Sequence, residues 1–345
     1  EGGLESTYWA GPEQISRRMS QGEVPIQGGP RKAARRLQLG FAGENFGYAI
    51  SLGLPDSSGH FMLPGHSSPI ASRFTLDPWI KRESIWGGPL YRSASALVDR
   101  QGPMIRARAG RQWEVLAQHT SSGDSLFDRV GNLSSSPEVL HLREQIRGWR
   151  FYDHLRTDSQ APARRPQLGT RTPVLHHDGR DLAAALQTII EVGDQQALHE
   201  TISDAFPESR LEIDAVPGGL FGVQFYQEGL LRPLSAAELS DGTLRYLLLV
   251  AALLTPRPPT LMVLNEPETS LHPDLLPALA RLIIRASQQC QVWVVSHARR
   301  LIAALQQDPE CNCIVLEKQL GQTGIVGQRM LDEPCLLYTS DAADE

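Results

Sequence analysis

The stretch "LMVLNEPETSLHP" (261–273) runs four apolar residues straight into Asn265-Glu266-Pro267-Glu268. Four such residues make a short buried strand, and Pro267, which has no backbone N–H, ends it. A strand that delivers a polar residue and then a glutamate sets both at its carboxyl end, where open α/β sheets gather their ligands. Glu266 there is placed to orient and deprotonate an attacking water. A plain solvated strand end fits the same letters, so the neighbouring segments have to decide.

Those neighbours alternate helix and strand. "TLRYLLLVAALL" (243–254) reads as helix, "LMVL" (261–264) as strand and "PDLLPALARLIIRASQ" (273–288) as helix. "VWVV" (292–295) is strand, "RRLIAAL" (299–305) helix and "CIVLEK" (313–318) strand. Such alternation predicts parallel strands joined by crossover helices. Two further motifs flank the opening stretch. In "LSDGTLR" (239–245), Ser240 and Gly242 sit in a short loop that opens directly into a helix. Free backbone N–H groups, a serine hydroxyl and the positive end of a helix dipole there suit an anion, although an N-cap with a turn glycine looks the same. In "VWVVSHA" (292–298) a second buried strand ends on Ser296-His297, which the topology sets beside the end of the first. His297 is then placed to donate a hydrogen bond to a phosphate; a structural histidine is the alternative.

The front of the chain reads differently. "RLQLGFAGENFGYAISLGL" (36–54) has two alternating runs around Gly43-Glu44-Asn45, a hairpin pattern. Residues 95–117 repeat it, with turns at Gln101-Gly102 and Gly110-Arg111, and 55–75 reads as loop. Ser136-Pro137-Glu138 starts a helix that runs to about Ile146. A polar connection (157–175), a helical pair (180–193 and 194–206) and a hairpin around Pro217-Gly218-Gly219 follow. No internal repeat is present.

The 345 residues are 41% hydrophobic and 21% charged, with a formal net charge of -6. That is an ordinary globular composition, long enough for one large domain or two lobes, and the whole chain is no polyanion binder. No apolar run approaches the roughly 20 residues of a membrane span, and no signal peptide is present. Cys290, Cys311, Cys313 and Cys335 form no paired zinc pattern and suit reduced thiols in the cytoplasm. His176-His177-Asp178 invites a metal reading, but adjacent histidines in a strand or loop point apart and a third ligand at proper spacing is missing. Arg143, Arg147, Arg150, Arg156, Arg164 and Arg165 suit either a basic face for DNA or a solvated surface.

The order Leu239-Ser240-x-Gly242, then "LMVLNEPETSLHP", then "VVSHA" resembles the C-terminal half of ABC-type ATPase heads of the SMC, RecF and OLD-like group. It is closest in kind to bacterial AAA family ATPases with LSDGT and NEPE-SLHP signatures, and the motifs cover about 239–305. The resemblance implies a P-loop NTPase head of α/β class with a mixed sheet, an antiparallel β subdomain and a helical insert. Its divisions would be a β-rich front (1–135), the insert (136–209) and the motif-bearing lobe (210–334); apart from the resemblance, "CLLYTSDAADE" (335–345) continues no preceding pattern and reads as a non-native tail. It makes Ser240, Asp241, Gly242 and Thr243 the signature loop that binds ATP, Glu266 the Walker B glutamate and Asn265 the holder of a Mg2+-bound water. Ser270, Leu271 and His272 become the D-loop, and His297 the switch histidine. It further implies ATP hydrolysis by two protomers that close around ATP, in DNA maintenance or phage defence and away from membranes. A transporter subunit fits less well, since transporter D-loops usually carry an aspartate where His272-Pro273 stands.

Two departures qualify that expectation. None of the three lysines (Lys32, Lys81, Lys318) lies in a G-x-x-x-x-G-K-[ST] loop, so the expected place for the main phosphate cradle is upstream of Glu1. Asn265 also stands where a carboxylate is usual, and a neutral amide holds a Mg2+-bound water less strongly. That favours an alternative, a nucleotide-gated interaction switch with vestigial hydrolysis.

Overall fold

A computed structural model describes residues 36–54, 60–61, 70–71, 77–129, 137–319 and 322–327. Most of the loop expected over 55–75, the cap Ser136, Cys335 and the tail 335–345 lie outside the described residues. The chain divides into two units. One holds the described residues up to Glu144 and from Ile314 onward; the other is Gln145–Cys313.

The first unit is built on an antiparallel sheet. Strands β1 (Arg36–Ala42) and β2 (Phe46–Gly53) form the expected hairpin, closed by Gly43 N–H donating to Phe46 O at 2.8 Å. After a short pair, β3 (His60–Phe61) and β4 (Ile70–Ala71), come β5 (Trp79–Gly87), β6 (Ala96–Gln101), β7 (Met104–Ala109) and β8 (Gln112–Ala117). The six long strands lie in the order β1-β2-β5-β6-β7-β8. Gly102 and Gly110 take positive φ at the two tight turns, a conformation that glycine adopts without steric cost. Inside the sheet lies a wholly buried ion pair, Glu83 with Arg100 at 2.9 Å. Glu83 also accepts from Tyr48 Oη (2.8 Å), Ser125 Oγ (2.6 Å) and Leu126 N (2.9 Å). Arg100 donates to Gly102 O, Ser121 O and Asp124 O, so both charges are fully partnered, as burial requires. Helix α1 (Leu126–Arg129) follows, and α2 (Pro137–Gly148) begins in this unit and ends in the second.

The second unit opens with β9 (Arg150–Tyr152), then β10 (Gln167–Leu168) and the helical pair α3 (Leu182–Val192) and α4 (Gln195–Ala205). Asp194 caps α4, its Oδ1 accepting from Ala197 N at 2.8 Å. Strands β11 (Arg210–Val216), β12 (Leu220–Tyr226) and β13 (Leu234–Ser235) complete a small antiparallel sheet with β10. Helix α5 (Asp241–Leu253) leads to β14 (Leu261–Asn265), α6 (Leu276–Ser287), β15 (Gln291–Val295) and α7 (Arg299–Leu305).

Helix α5 is buried from Leu244 to Leu253 on every side, which is why its sequence is apolar all round rather than striped. It lies in one core that runs from Tyr152 to Leu301. Beside it stands a parallel sheet of order β15-β14-β9, with Asn265 opposite Val295 and Val263 between Phe151 and Trp293. Met262 and Leu264 turn into the core; Phe151, Trp293 and Val295 on the alternate positions are half exposed.

One strand departs from the expected parallel alternation. The 313–318 segment forms β16 (Leu316–Gln319), which pairs antiparallel with β17 (Gln322–Ile325) and lies in the first unit. Only residues 320–321 separate the two, a hairpin's length, so the local partner forms without a crossover. Ile314, Val315 and Leu316 are correspondingly exposed.

Candidate functional site

Strand β14 stops at Asn265, and the chain turns sharply through Glu266, whose φ of 44° lies in the left-handed region. A non-glycine residue there costs about 1–3 kcal/mol and persists only when its surroundings impose it. Here the Glu266 N–H donates to Val295 O (2.8 Å), and Glu266 O accepts from Thr269 N (3.1 Å) and Arg245 Nη2 (3.2 Å). With its backbone fixed on both sides, the Glu266 carboxylate projects into solvent. Its Oε1 stands 3.7 Å from His297 Nε2, which follows β15. The two parallel strands therefore bring these predicted residues together at adjacent carboxyl ends, with Asn265 at the last register pair.

Glu268, quoted in the motif but given no role by sequence reasoning, holds this arrangement. Its Oε1 accepts from Ser296 Oγ (2.6 Å), His297 N (3.0 Å) and Ala298 N (3.1 Å), so one oxygen binds the whole turn after β15. Its Oε2 is buried without a hydrogen-bond partner. Arg245 of α5 is nearly buried and donates to Leu155 O (2.9 Å) as well as to Glu266 O. Burial lowers the Arg245 pKa and the Glu268 charge opposes that shift. The only sequence signal for these two was a charge inside or beside an apolar run, which by itself assigns no partner.

The "LSDGT" segment, expected as the signature loop, starts α5. Ser240 is the N-cap, its Oγ accepting from Thr243 N at 3.1 Å and lying 2.9 Å from Thr243 Oγ1. Asp241 and Gly242 open the first turn, whose N–H groups have no acceptor within the helix. Gly242 packs on the segment after β14: a Cβ there would stand 2.6 Å from Ser270 O. Ser270 itself has φ 66°, Leu271 packs against the core, and His272 caps a 3-10 turn, Pro273–Leu275, with Nδ1 accepting from Asp274 N at 3.4 Å. The 240–243 and 270–272 segments thus touch through Gly242 and Ser270, while Ser240 and His272 are engaged as helix caps.

Within the second unit, Arg150, Arg156, Arg164 and Arg165 are each taken up by separate local partners. Arg164 is nearly buried and donates to Leu239 O (2.7 Å), Asp241 Oδ1 (2.5 Å) and Thr157 O (2.8 Å). Arg150 caps the carbonyls of Arg147, Gly148 and Trp149; Arg156 pairs with Asp158 and Arg165 with Gln160 Oε1. A helix end and a turn each absorb their own cation.

His176 and His177 do not point apart: their ring centroids are 4.1 Å apart, because they lie in a tight turn rather than a strand. Asp178 is the third group, and ligand atoms of all three fall within 4.8 Å of one another. Both His176 nitrogens are nonetheless engaged, Nδ1 at 2.7 Å from Asp178 Oδ1 and Nε2 at 2.6 Å from Arg180 Nη2. A guanidinium at the outward nitrogen opposes a metal ion there. Cys311 and Cys313 are exposed free thiols, and among the described residues no helix is long and apolar enough to cross a membrane.

No curated protein matches the chain. Among solved structures, the Smc head domain from Thermotoga maritima is similar with a TM-score of 0.35 and 12% identity, over 85% of this chain and 98% of that one. The Pyrococcus furiosus Smc head domain with an extended coiled coil, bound to the C-terminal domain of ScpA, gives 0.36 and 10%, over 82% and 77%. The Pyrococcus yayanosii Smc head domain with a coiled coil and joint gives 0.35 and 14%, over 43% of this chain and 28% of that one. The family AAA_21, described as "AAA domain, putative AbiEii toxin, Type IV TA system", matches residues 110–303. That span is more than half of the chain and contains all three motifs, so the chain belongs to the AAA_21 family and carries an ATPase-type domain.

Proposed function

We propose that the protein is a Mg2+-dependent ATPase whose protomers close in pairs around ATP. The observation that carries the reading is the convergence of Glu266 and His297 at adjacent strand ends, 3.7 Å apart and open to solvent. Glu266 accepts a proton from the attacking water, and its fixed left-handed backbone keeps the carboxylate at one place. His297 donates a hydrogen bond to the terminal phosphate, its main-chain N–H tethered by Glu268. The first-turn N–H groups of Asp241 and Gly242, with the Ser240 and Thr243 hydroxyls, cap the phosphate held by the partner protomer, as helix N-termini do for anions. Ser270, Leu271 and His272 border the same closing face.

The donor set fits a phosphate well and Mg2+ more weakly. Asn265 offers a neutral amide oxygen to a metal-bound water, with the Glu266 carboxylate next to it; the ion, when bound, neutralises charge on the phosphates. No G-x-x-x-x-G-K-[ST] loop occurs in the 345 residues, so tight ATP binding requires a phosphate-wrapping loop besides the elements described. A cytoplasmic role in DNA maintenance or phage defence rests on motif resemblance alone. The second reading, a nucleotide-gated interaction switch with vestigial hydrolysis, is favoured by Asn265 in place of a carboxylate.

The test is the mass of the intact protein in solution with and without Mg2+-ATP. A doubling with ATP, abolished by Ser240→Arg, supports the paired head. An unchanged mass at saturating ATP refutes it.

A further inference from the structure

We infer that Arg164 is a positioning residue for the signature loop, binding the Asp241 carboxylate so that the loop meets a phosphate as a donor surface instead of a negative charge. This rests on the reading of residues 240–243 as a phosphate cap.

The sequence creates the problem that Arg164 solves. "LSDGT" places a carboxylate at the first position of α5, among the N–H groups that would receive the phosphate. An acidic residue there suits the helix dipole, but it is also the first anion in an anion site and repels a second. The Asp241 side chain is 60% exposed. Arg164, with its side chain 9% exposed, reaches it at 2.5 Å.

The guanidinium is fixed from its far side before it meets the loop. Nε and Nη2 donate to Thr157 O at 3.0 and 2.8 Å, and Nη1 donates to Leu239 O at 2.7 Å. The residue also ends its own 3-10 turn, Pro162–Arg164, whose Arg164 N–H donates to Ala161 O at 3.0 Å. Arg164 therefore connects three things: a rigid turn, the carbonyl one residue before the cap and the carboxylate one residue after it. A lysine, with a single flexible ammonium, cannot span these acceptors. Only the planar fork fits.

The experiment uses ATP-driven dimerisation of the intact protein, followed by sedimentation at graded ATP for four forms: unaltered, Arg164→Gln, Asp241→Asn and the double variant. Arg164→Gln should raise the ATP concentration for half-dimerisation by about tenfold, as expected for an uncompensated like charge at a phosphate site. The double variant should return to within about threefold of the unaltered protein, since Asp241→Asn removes the charge that Arg164 balances. Thermal melts keep loss of fold separate, because the two Arg164 variants lack the same backbone contacts. If Arg164→Gln has no effect, or if Asp241→Asn fails to restore it, the inference is overturned. Absence of an ATP-driven dimer in the unaltered protein overturns the phosphate-cap reading itself.

Discussion

Replacing Glu268 with alanine should loosen the turn after β15 by an amount the structure lets one work out. Three hydrogen bonds end on Oε1, from Ser296 Oγ, His297 N and Ala298 N. Bonds to a charged acceptor are each worth about 1.5–3 kcal/mol. Their loss is cushioned, because Ala298 N also reaches Ser296 Oγ at 3.1 Å and the His297 backbone is open to water. The carboxylate meanwhile carries its own penalty, since buried Oε2 has no partner, and relieving that returns about 1–3 kcal/mol. Three such bonds less that relief leave about 1.5–8 kcal/mol, and replacement of part of the loss by water and Ser296 Oγ puts Glu268→Ala at the lower end, a destabilisation of about 1.5–3 kcal/mol. Glu268→Gln keeps an acceptor at the Oε1 position and should cost less than alanine. Urea unfolding gives the energies, and amide hydrogen exchange gives the location, with faster exchange at His297 and Ala298 than in β14. If alanine leaves stability within about 0.5 kcal/mol and those two amides keep their protection, Glu268 is not the tether described.

Three further outcomes follow from other parts of the fold. Gly242→Ala should destabilise by about 1–3 kcal/mol through collision with Ser270 O; helix propensity alone predicts a gain of up to about 1 kcal/mol, so the sign of the measured change decides. Arg100→Met strands the buried Glu83 and should cost about 3–5 kcal/mol in urea titration, with Glu83→Gln in the same chain recovering part of it. Glu238 is held at a pKa of about 2, first by hydrogen bonds from Arg232 and then by Ser235. A depressed carboxylate contributes stability above its unfolded value near 4.3 and loses it as pH falls through its folded one, so melting temperature should decline between about pH 4.3 and 2, less steeply in Glu238→Gln.

The segments legible in the sequence are those whose pattern is local. Helix α7 was expected over 299–305 and spans Arg299–Leu305; the hairpins of β1 with β2 and β11 with β12 turn at the glycine-bearing segments read for them. Strand β5 went unread because Glu83 and Ser84 are buried in its middle and bulges interrupt its register with both neighbours, which erases a two-residue period. Strand β9 is three residues long, below what any periodicity can show, yet it is the third strand of the parallel sheet. At the site, Glu266 and His297 were legible because each follows a short apolar run that forms a strand; β14 is buried as expected, whereas β15, expected to be buried, exposes Trp293 and Val295 at the sheet edge. Glu268, Arg245 and Arg164 act through main-chain groups and, in Ser296 and Asp241, side chains from 21 to 90 residues away, apart from Arg164's local bonds to Thr157 and Asp158, and no spacing encodes such partners.

Glu266, as the base that activates water, is the residue on which hydrolysis most depends. Phosphate release by the intact protein with Mg2+-ATP, compared with Glu266→Gln, tests it directly. Glutamine keeps the shape and one acceptor but cannot take the proton, so hydrolysis should fall by at least about a hundredfold while the ATP-bound dimer accumulates. Hydrolysis by Glu266→Gln at the unaltered rate would contradict the assignment.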